Sequence, residues 1–359
     1  MYLIHIISSN KWGEAQRYAL DICRHYHDAG AEVMAVTRDA QVVDSRFAEC
    51  GIPLSHAPLR GFFDPASAFV IARMLRKIPR DEGIVHVHRY RDAFTILLAK
   101  RIAKRPDIRV VSTRHTVRRG RNSWLFRRVY NKINAHIFVS NAAFMQFRSS
   151  WHNLPMDPAR VHILHNGVNI PDGEPQAEPS KGPVTAVYYG PVVRGKGIET
   201  IIDALAQLRG VKLRLRISGR GVPDYLDDLR RRAMARGVMD SIDWCTARAN
   251  NRADVVNAHF AVLPSIEREA FGLANLEVMA CGRPQICTSN GAQREYLADG
   301  RTALFIPPAD SHRLAEAMRR LAEDAEMRRR IGAEAHAVYV DSLSWPAFTC
   351  RLSEIYRNL

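Results

Sequence analysis

From end to end the chain alternates short apolar runs with longer amphipathic ones, and this alternation leaves few folds open. Apolar runs of four to seven residues, rich in Val, Ile and Leu, are the signature of strands buried on both faces. In the first half they fall at 2–7, 32–37, 84–88, 109–115, 135–140 and 161–165. In the second half they fall at 184–189, 212–218, 241–245, 260–263, 284–288 and 303–306. Helical periodicity fills most of the gaps, for example at 14–27, 65–77, 198–208 and 223–236. Twelve strands in two sets of six, alternating with helices, predict an α/β chain of two doubly wound, Rossmann-like domains.

A length of 359 residues and an apolar content of 47% suit two full cores. The join is marked by Asn166-Gly167 and Pro171-Asp172-Gly173, followed by a polar stretch to Gly182. We therefore expect domains at 1–168 and 183–342, a linker or hinge at 169–182, and a terminal helix within 343–359. No run of about 18 apolar residues predicts a membrane-spanning helix. The N-terminus has no basic leader and reads as a first strand. The six cysteines are scattered, without a zinc-type spacing, so reduced thiols in a cytoplasmic protein are expected. The net charge is +15. Residues 1–175 hold 26 Lys/Arg against 15 Asp/Glu, a net +11, and the remainder holds 26 against 22, a net +4. The first half should therefore meet something anionic: a membrane surface, a phosphorylated substrate or nucleic acid.

Three segments of the second half carry chemistry. After the strand at 184–189 comes Gly190-Pro-Val-Val-Arg194-Gly195-Lys196-Gly197, a glycine loop with two cations ahead of a helix. Glycines allow close backbone approach, and Arg194 and Lys196 offer charge to a diphosphate. Gly219-Arg220-Gly221 is a second glycine turn at a strand end. The third segment is the run Glu269-Ala270-Phe271-Gly272-Leu273, continuing to Glu277, with a helix expected over 273–281. A helix N-terminus suits a phosphate. A carboxylate beside a phosphate would repel it, so the partners of Glu269 and Glu277 are sugar hydroxyls. Together the three segments point to a nucleotide-sugar site.

In the first half, Gly13-Glu14-Ala-Gln-Arg17 opens a helix after the first strand. His86-Val-His88-Arg89 and Ser112-Thr-Arg114-His115 end two others. His86 and His88 alternate on a strand and so point the same way. Arg114, Arg118, Arg119, Arg121, Arg127, Arg128 and Lys132 form a basic stretch around Trp124 and Phe126, a mix that suits anionic lipid headgroups.

These motifs, in this order, resemble the family 4 (group 1) retaining glycosyltransferases of the GT-B fold, two Rossmann-like domains facing a cleft. The residues carrying the resemblance are His165-Asn166-Gly167, the Gly190…Lys196-Gly197 loop, Gly219-Arg-Gly221, Leu263-Pro264-Ser265 and the Glu269…Glu277 block. Gly282-x-Pro284, Glu295 and Asp299-Gly300-Arg-Thr302 follow. The resemblance implies a donor-binding second domain. In it Lys196 and an arginine hold the diphosphate, Glu269 lies near the donor sugar and Glu277 holds the ribose. Gly190, Gly219, Ala270, Phe271, Gly272 and Leu273 line the donor, and the base falls near Thr246 and Arg248. The family's arginine usually follows the loop's first glycine; here that position is Pro191, with Arg194 as the substitute. The first domain becomes the acceptor side, with Gly13, Glu14, Arg17, His88, Arg89 and His115 in the binding positions and His115 at the reaction centre. Trp12 stands where the family usually has glycine. The tail helix is implied to pack back across the junction.

The resemblance also implies retention, a UDP- or GDP-sugar donor, and neither metal nor other cofactor. The acceptor is expected to be a glycan, lipid-linked or phosphorylated, in the making of cell-surface polysaccharide or lipopolysaccharide. The enzyme is expected in the cytoplasm, peripheral on an anionic membrane face. The competing expectations are a nucleotide-sugar epimerase on a related fold and an inactive nucleotide-sugar-binding scaffold. Nucleic acid is not an expected partner, since no recognition motif accompanies the charge. A dinucleotide oxidoreductase fits badly, since 8–13 carries only one glycine.

Overall fold

The computed structural model describes residues 1–168, 170, 178–179, 182–246 and 252–359. The chain forms two compact units. The first holds Met1–Asn166 with Phe348–Leu359, the second Gly167–Ala347.

The first unit is built on a parallel sheet of seven strands: β1 (Tyr2–Ile7), β2 (Glu32–Thr37), β3 (Leu54–His56), β4 (Gly83–Val87), β5 (Arg109–Arg114), β6 (Ala135–Phe138) and β7 (Val161–Ile163). Their order is β3-β2-β1-β4-β5-β6-β7. β1 sits between β2 and β4, with Ile4 opposite Met34 on one side and Val85 on the other. Both neighbours shield β1, which is why its apolar run is unbroken. The helices between strands bury one stripe each. In Glu14–Asp28 that stripe includes Tyr18, Ile22 and Cys23. Helix Pro65–Leu75 starts where Asp64 accepts the Ser67 N–H and Pro65 fixes the first turn.

The expected six strands are seven. Leu54–His56 was missed because it is a three-residue edge strand with His56 exposed, so no buried run announces it. It pairs with β2, Ala35 opposite Leu54.

The second unit holds a parallel sheet of six strands: β8 (Val184–Tyr189), β9 (Leu213–Ser218), β10 (Ile242–Cys245), β11 (Phe260–Leu263), β12 (Gln285–Thr288) and β13 (Leu304–Ile306). The order is β10-β9-β8-β11-β12-β13. Ile198, Ile201, Ile202 and Leu205 from helix Ile198–Leu205 pack with Leu215 and Ile217 of β9 and with Leu314, Met318 and Leu321 of helix Ser311–Glu323. Asp310 and Asp324 cap the helices that follow them, accepting from Arg313 N and Met327 N. Glu178, within the stretch expected as a linker, pairs with Arg328 at 3.0 Å. Residues 169, 171–177 and 180–181 of that stretch lie outside the described residues. Among the described residues no helix is long and apolar enough to cross a membrane.

In both sheets the chain starts a new direction at one place. Strand order reverses between β1 and β4 in the first sheet and between β8 and β11 in the second. The loops leaving those strands diverge to opposite sides, and a crevice opens at their carboxyl ends.

The first unit also carries an unusual column of histidines, His5, His86 and His88 buried and His115 half-buried at its end. His5 Nδ1 lies 3.0 Å from His88 Nε2, and His88 Nδ1 lies 3.1 Å from His115 Nε2. His86 is held by Thr113 Oγ1 at 2.7 Å and by the Tyr356 hydroxyl at 2.6 Å. Tyr356 comes from the terminal segment, where Ser353 also meets the Tyr26 hydroxyl at 2.7 Å and Phe348 lies edge-on to Tyr18. Burial pushes His5, His115 and His136 down to about 3, and pushes His86 and His88 well below the usual range. All five are neutral at pH 7, whereas in an unfolded chain they take up protons near 6.5. Stability from these groups is therefore whole above about pH 6.5 and falls as pH drops towards 3, by up to about 1.4 kcal/mol per pH unit for each histidine. Urea unfolding at pH 7.5, 6.0 and 5.0 checks this. The midpoint is expected to fall steadily, with about four protons taken up on unfolding near pH 5.5. An unchanged midpoint would contradict the neutral column.

Candidate functional site

In the second unit the site begins at the β8 carboxyl end. The Gly190 N–H donates to Ser218 O of β9 at 3.0 Å, and the Gly219 N–H donates to Cys245 O of β10 at 3.3 Å. The ends of three strands are thus tied by main chain alone. Gly190 (φ 151°) and Gly219 (φ 145°) adopt angles that L side chains rarely reach. The Tyr188 hydroxyl donates to Pro191 O at 2.7 Å and fixes the next step of the loop.

The loop then meets the segment after β11. The Ile266 and Glu267 N–H groups both donate to Gly195 O, at 2.8 and 3.1 Å. Gly197 (φ 76°) starts helix Ile198–Leu205, and a Cβ there would lie 2.0 Å from Pro264 O. Glu269 is fixed from the other side. Its carbonyl accepts from Ala292 N at 3.2 Å, and a Cβ on Gly291 would lie 2.4 Å from that same oxygen. Thr288 and Asn290 hold Ser265 O and Ile266 O, at 2.7 and 2.8 Å.

This framework brings Lys196 and Glu269 together. Lys196 Nζ lies 2.5 Å from Glu269 Oε1, both side chains mostly shielded. Three residues on, Gly272 (φ 95°) starts helix Leu273–Ala280, whose first N–H groups have no intrahelical acceptor. Phe271 is buried against Tyr296, whose hydroxyl donates to Phe271 O at 2.6 Å. Glu277 is buried on the second turn of this helix. Ammonium, helix start and Glu269 are therefore gathered at the crevice between β8 and β11, with Glu277 on the helix that starts there.

Arg194 is not brought to this cluster. It pairs with Asp228 at 2.5 Å, lies over the Tyr225 ring and stays 72% exposed. Arg248 lies outside the described residues, while its neighbour Thr246 is buried.

In the first unit a cavity of about 770 Å³ opens at the β1/β4 crevice. Glu14, His88, Arg89 and His115 line it. Gly13 and Arg17 do not. Gly13 is the extended N-cap of helix Glu14–Asp28, and Arg17 lies 3.8 Å from Asp21. Trp12 lies under the Arg46 guanidinium, 4.2 Å from its ring centre.

The cavity also holds residues that sequence reasoning passed over. Asp92 is buried, accepts from Ser8 Oγ at 2.6 Å and lies 3.5 Å from Arg91. Burial raises its carboxyl to about 6, against the pull of the Ser8 hydrogen bond. An acid in the first turn of a helix that follows a strand end was the available signal. Arg118, Arg119 and Arg121 line the cavity as well. The nitrogens of His5, His86 and His88 lie within 4.8 Å of one another, a spacing open to a metal, but their hydrogen bonds run to each other, to Thr113 and to Tyr356.

The glycine contacts generate a paired test. Gly197→Ala should cost at least about 3 kcal/mol, because the left-handed angle and the Pro264 clash add. Gly210→Ala has a similar φ of 78° but open space, and should cost only about 1 kcal/mol. Equal losses in thermal or urea unfolding would mean that the Pro264 contact does not lock the loop.

Two family models match side by side. "Glycosyltransferase Family 4" covers residues 15–171 and "Glycosyl transferases group 1" covers 171–338. The chain is 28% identical over 327 residues to the phosphatidyl-myo-inositol mannosyltransferase of Mycobacterium leprae, covering 86% of this chain and 81% of that one. It is 27% identical over 262 residues to the alpha-maltose-1-phosphate synthase of Mycolicibacterium smegmatis, and the match spans 66% of each protein. The structure of HepE from Anabaena in complex with UDP and glucose superimposes with a TM-score of 0.84 over all of both chains, at 18% identity, a likeness of fold. That fold is GT-B, and the chain belongs to the family 4, group 1 glycosyltransferases.

Proposed function

We propose that this chain transfers a sugar from a UDP- or GDP-sugar to a hydroxyl of a glycan or lipid-linked acceptor, with retention at the anomeric carbon. The observation that carries the proposal is the Lys196–Glu269 pair at the mouth of the β8/β11 crevice, 2.5 Å apart. An ammonium held by a carboxylate keeps one geometry. It meets a diphosphate where negative charge grows as the glycosidic bond breaks. The N-terminus of helix Leu273–Ala280 adds its dipole to the same charge. Glu269 keeps its second oxygen for a hydroxyl of the donor sugar, and Glu277 takes the ribose. In this scheme charge is neutralised by Lys196 and the helix, and no metal is assigned. Arg194 swings from Asp228 to the diphosphate, or stays as a surface ion pair; its exposure allows either.

His115 takes the acceptor side, and His88, both of whose ring nitrogens are engaged by His5 and His115, orients it. The neutral His115 imidazole donates or accepts a hydrogen bond without adding charge. The place proposed for the chain is the assembly of cell-surface glycans at the cytoplasmic face of a membrane. The name of the Mycobacterium leprae relative, a mannosyltransferase acting on a phosphatidylinositol, supports a membrane-borne acceptor.

A thermal-shift panel with UDP, GDP, ADP, CMP and their sugars tests the donor site. A ligand at ~100 times its dissociation constant should add roughly 2.7 kcal/mol to wild type. Glu277→Ala is expected to lose that response, and Lys196→Ala to lose roughly 10²–10³ in kcat with a folded protein. A full set of null responses from wild type would sink the proposal. NMR of the product anomer decides retention.

A further inference from the structure

The cavity of the first unit is strongly one-sided in charge. Six arginines line it: Arg89, Arg91, Arg114, Arg118, Arg119 and Arg121. The acids lining it are Glu14 and Asp92, and Asp92 is engaged by Ser8 and Arg91. Among the described residues no carboxylate pairs with Arg89, Arg118, Arg119 or Arg121. Burial and the nearby Arg91 and Arg38 push the Arg89 guanidinium down, against the pull of Asp92.

The loop carrying three of them is fixed. The Arg114 guanidinium donates to the carbonyls of Arg118 and Arg119. Gly120 is buried, and a Cβ there would lie 2.7 Å from Trp151 Nε1 and 2.8 Å from the Phe147 ring. Asn122 Nδ2 donates to Ser150 O at 2.8 Å. A loop so bound holds Arg118, Arg119 and Arg121 at the cavity. Arg121 lies over the rings of Phe62 and Phe126, 4.7 and 5.6 Å from their centres. A guanidinium stacked this way leaves its N–H edges for a bidentate anion. The neutral His88 and His115 line the same cavity.

We propose that this cavity binds an acceptor bearing a phosphate group, the phosphate on Arg118, Arg119 and Arg121 and a hydroxyl on Nδ1 of His115, whose ring is fixed through Nε2 by His88. This rests on the transfer reaction proposed above and specifies its acceptor. The volume, about 770 Å³, matches a small-molecule site of this kind. The phosphate belongs to a soluble sugar phosphate or to a phosphate-linked lipid. Convergence of the arginines on a cavity, not a flat face, favours a bound headgroup over docking on a bilayer.

The test uses the whole protein with its nucleoside diphosphate at saturation, so that the donor site is filled. Calorimetric titration compares glucose 6-phosphate with glucose, and flotation compares vesicles of phosphatidylcholine with and without 20 mol % phosphatidylinositol phosphate, used as probes. Arg118→Ala/Arg119→Ala/Arg121→Ala, exposed changes, is the variant. Glucose 6-phosphate binding that glucose does not match, and that falls at least tenfold in the variant, supports a phosphate site open to soluble acceptors. Vesicle binding that soluble glucose 6-phosphate or pyrophosphate displaces supports the same site with a lipid-borne phosphate. Vesicle binding that neither displaces overturns the proposal in favour of membrane docking. Absence of binding by either probe, with the nucleotide still bound, also overturns it while leaving the transfer reaction standing. Failure of the nucleotide itself to bind would strike the transfer reaction first.

Discussion

Reversal of strand order is the constraint on which everything else rests. In a parallel sheet every strand ends on the same edge, and each connection must cross back over one face. Where the order turns, between β1 and β4 and between β8 and β11, neighbouring connections leave to opposite faces. No helix then covers the gap. Lys196 and Glu269 stand on the two loops that flank the second gap. Ser8, His88 and Arg89 stand on the two that flank the first, and Glu14 opens the helix that follows one of them. The chemistry is gathered where topology leaves backbone uncovered.

Such exposed loops would be mobile without restraint, and main-chain contact supplies it. Gly190 on Ser218, Gly219 on Cys245 and Gly195 under Ile266 and Glu267 are hydrogen bonds that any sequence can make, provided the backbone can come that close. Gly197 against Pro264 and Gly291 against Glu269 provide the closeness. Glycine here positions side chains that belong to other residues. The Lys196–Glu269 geometry is a product of these approaches more than of the ion pair itself, which carries its own desolvation cost.

Much of this was legible in the sequence, for a specific reason. Strands such as 2–7, 32–37, 184–189 and 260–263 are flanked on both sides in their sheets, so burial writes them as unbroken apolar runs, and their bounds coincide with β1, β2, β8 and β11. β3 escaped because an edge strand needs no such run. The glycine loops and the glutamates could be placed because they sit at strand ends. Partners distant in sequence could not be placed: Tyr356 on His86, Asp228 on Arg194, and Ser8 on Asp92 are meetings that only the fold arranges. The alternation of His86 and His88 did predict a shared face, but not that His5 and His115 complete the column.

The basic stretch from Arg114 to Lys132 reads in one dimension as a single block of charge, yet its members do different jobs. Arg114 is a bracket: one guanidinium nitrogen, Nη2, donates to two carbonyls of the loop that follows. Arg127 rests on Trp151 and Arg128 on Trp124 as flat covers for rings. Charge-conserving exchange therefore does not preserve function along this run. Lysine at 114 would keep the positive sign but lacks the flat guanidinium that lies over the Phe147 and Tyr90 rings while it donates to the loop, so the loop would loosen with the charge count unaltered. For this protein, electrostatic equivalence and structural equivalence part company within one short basic run.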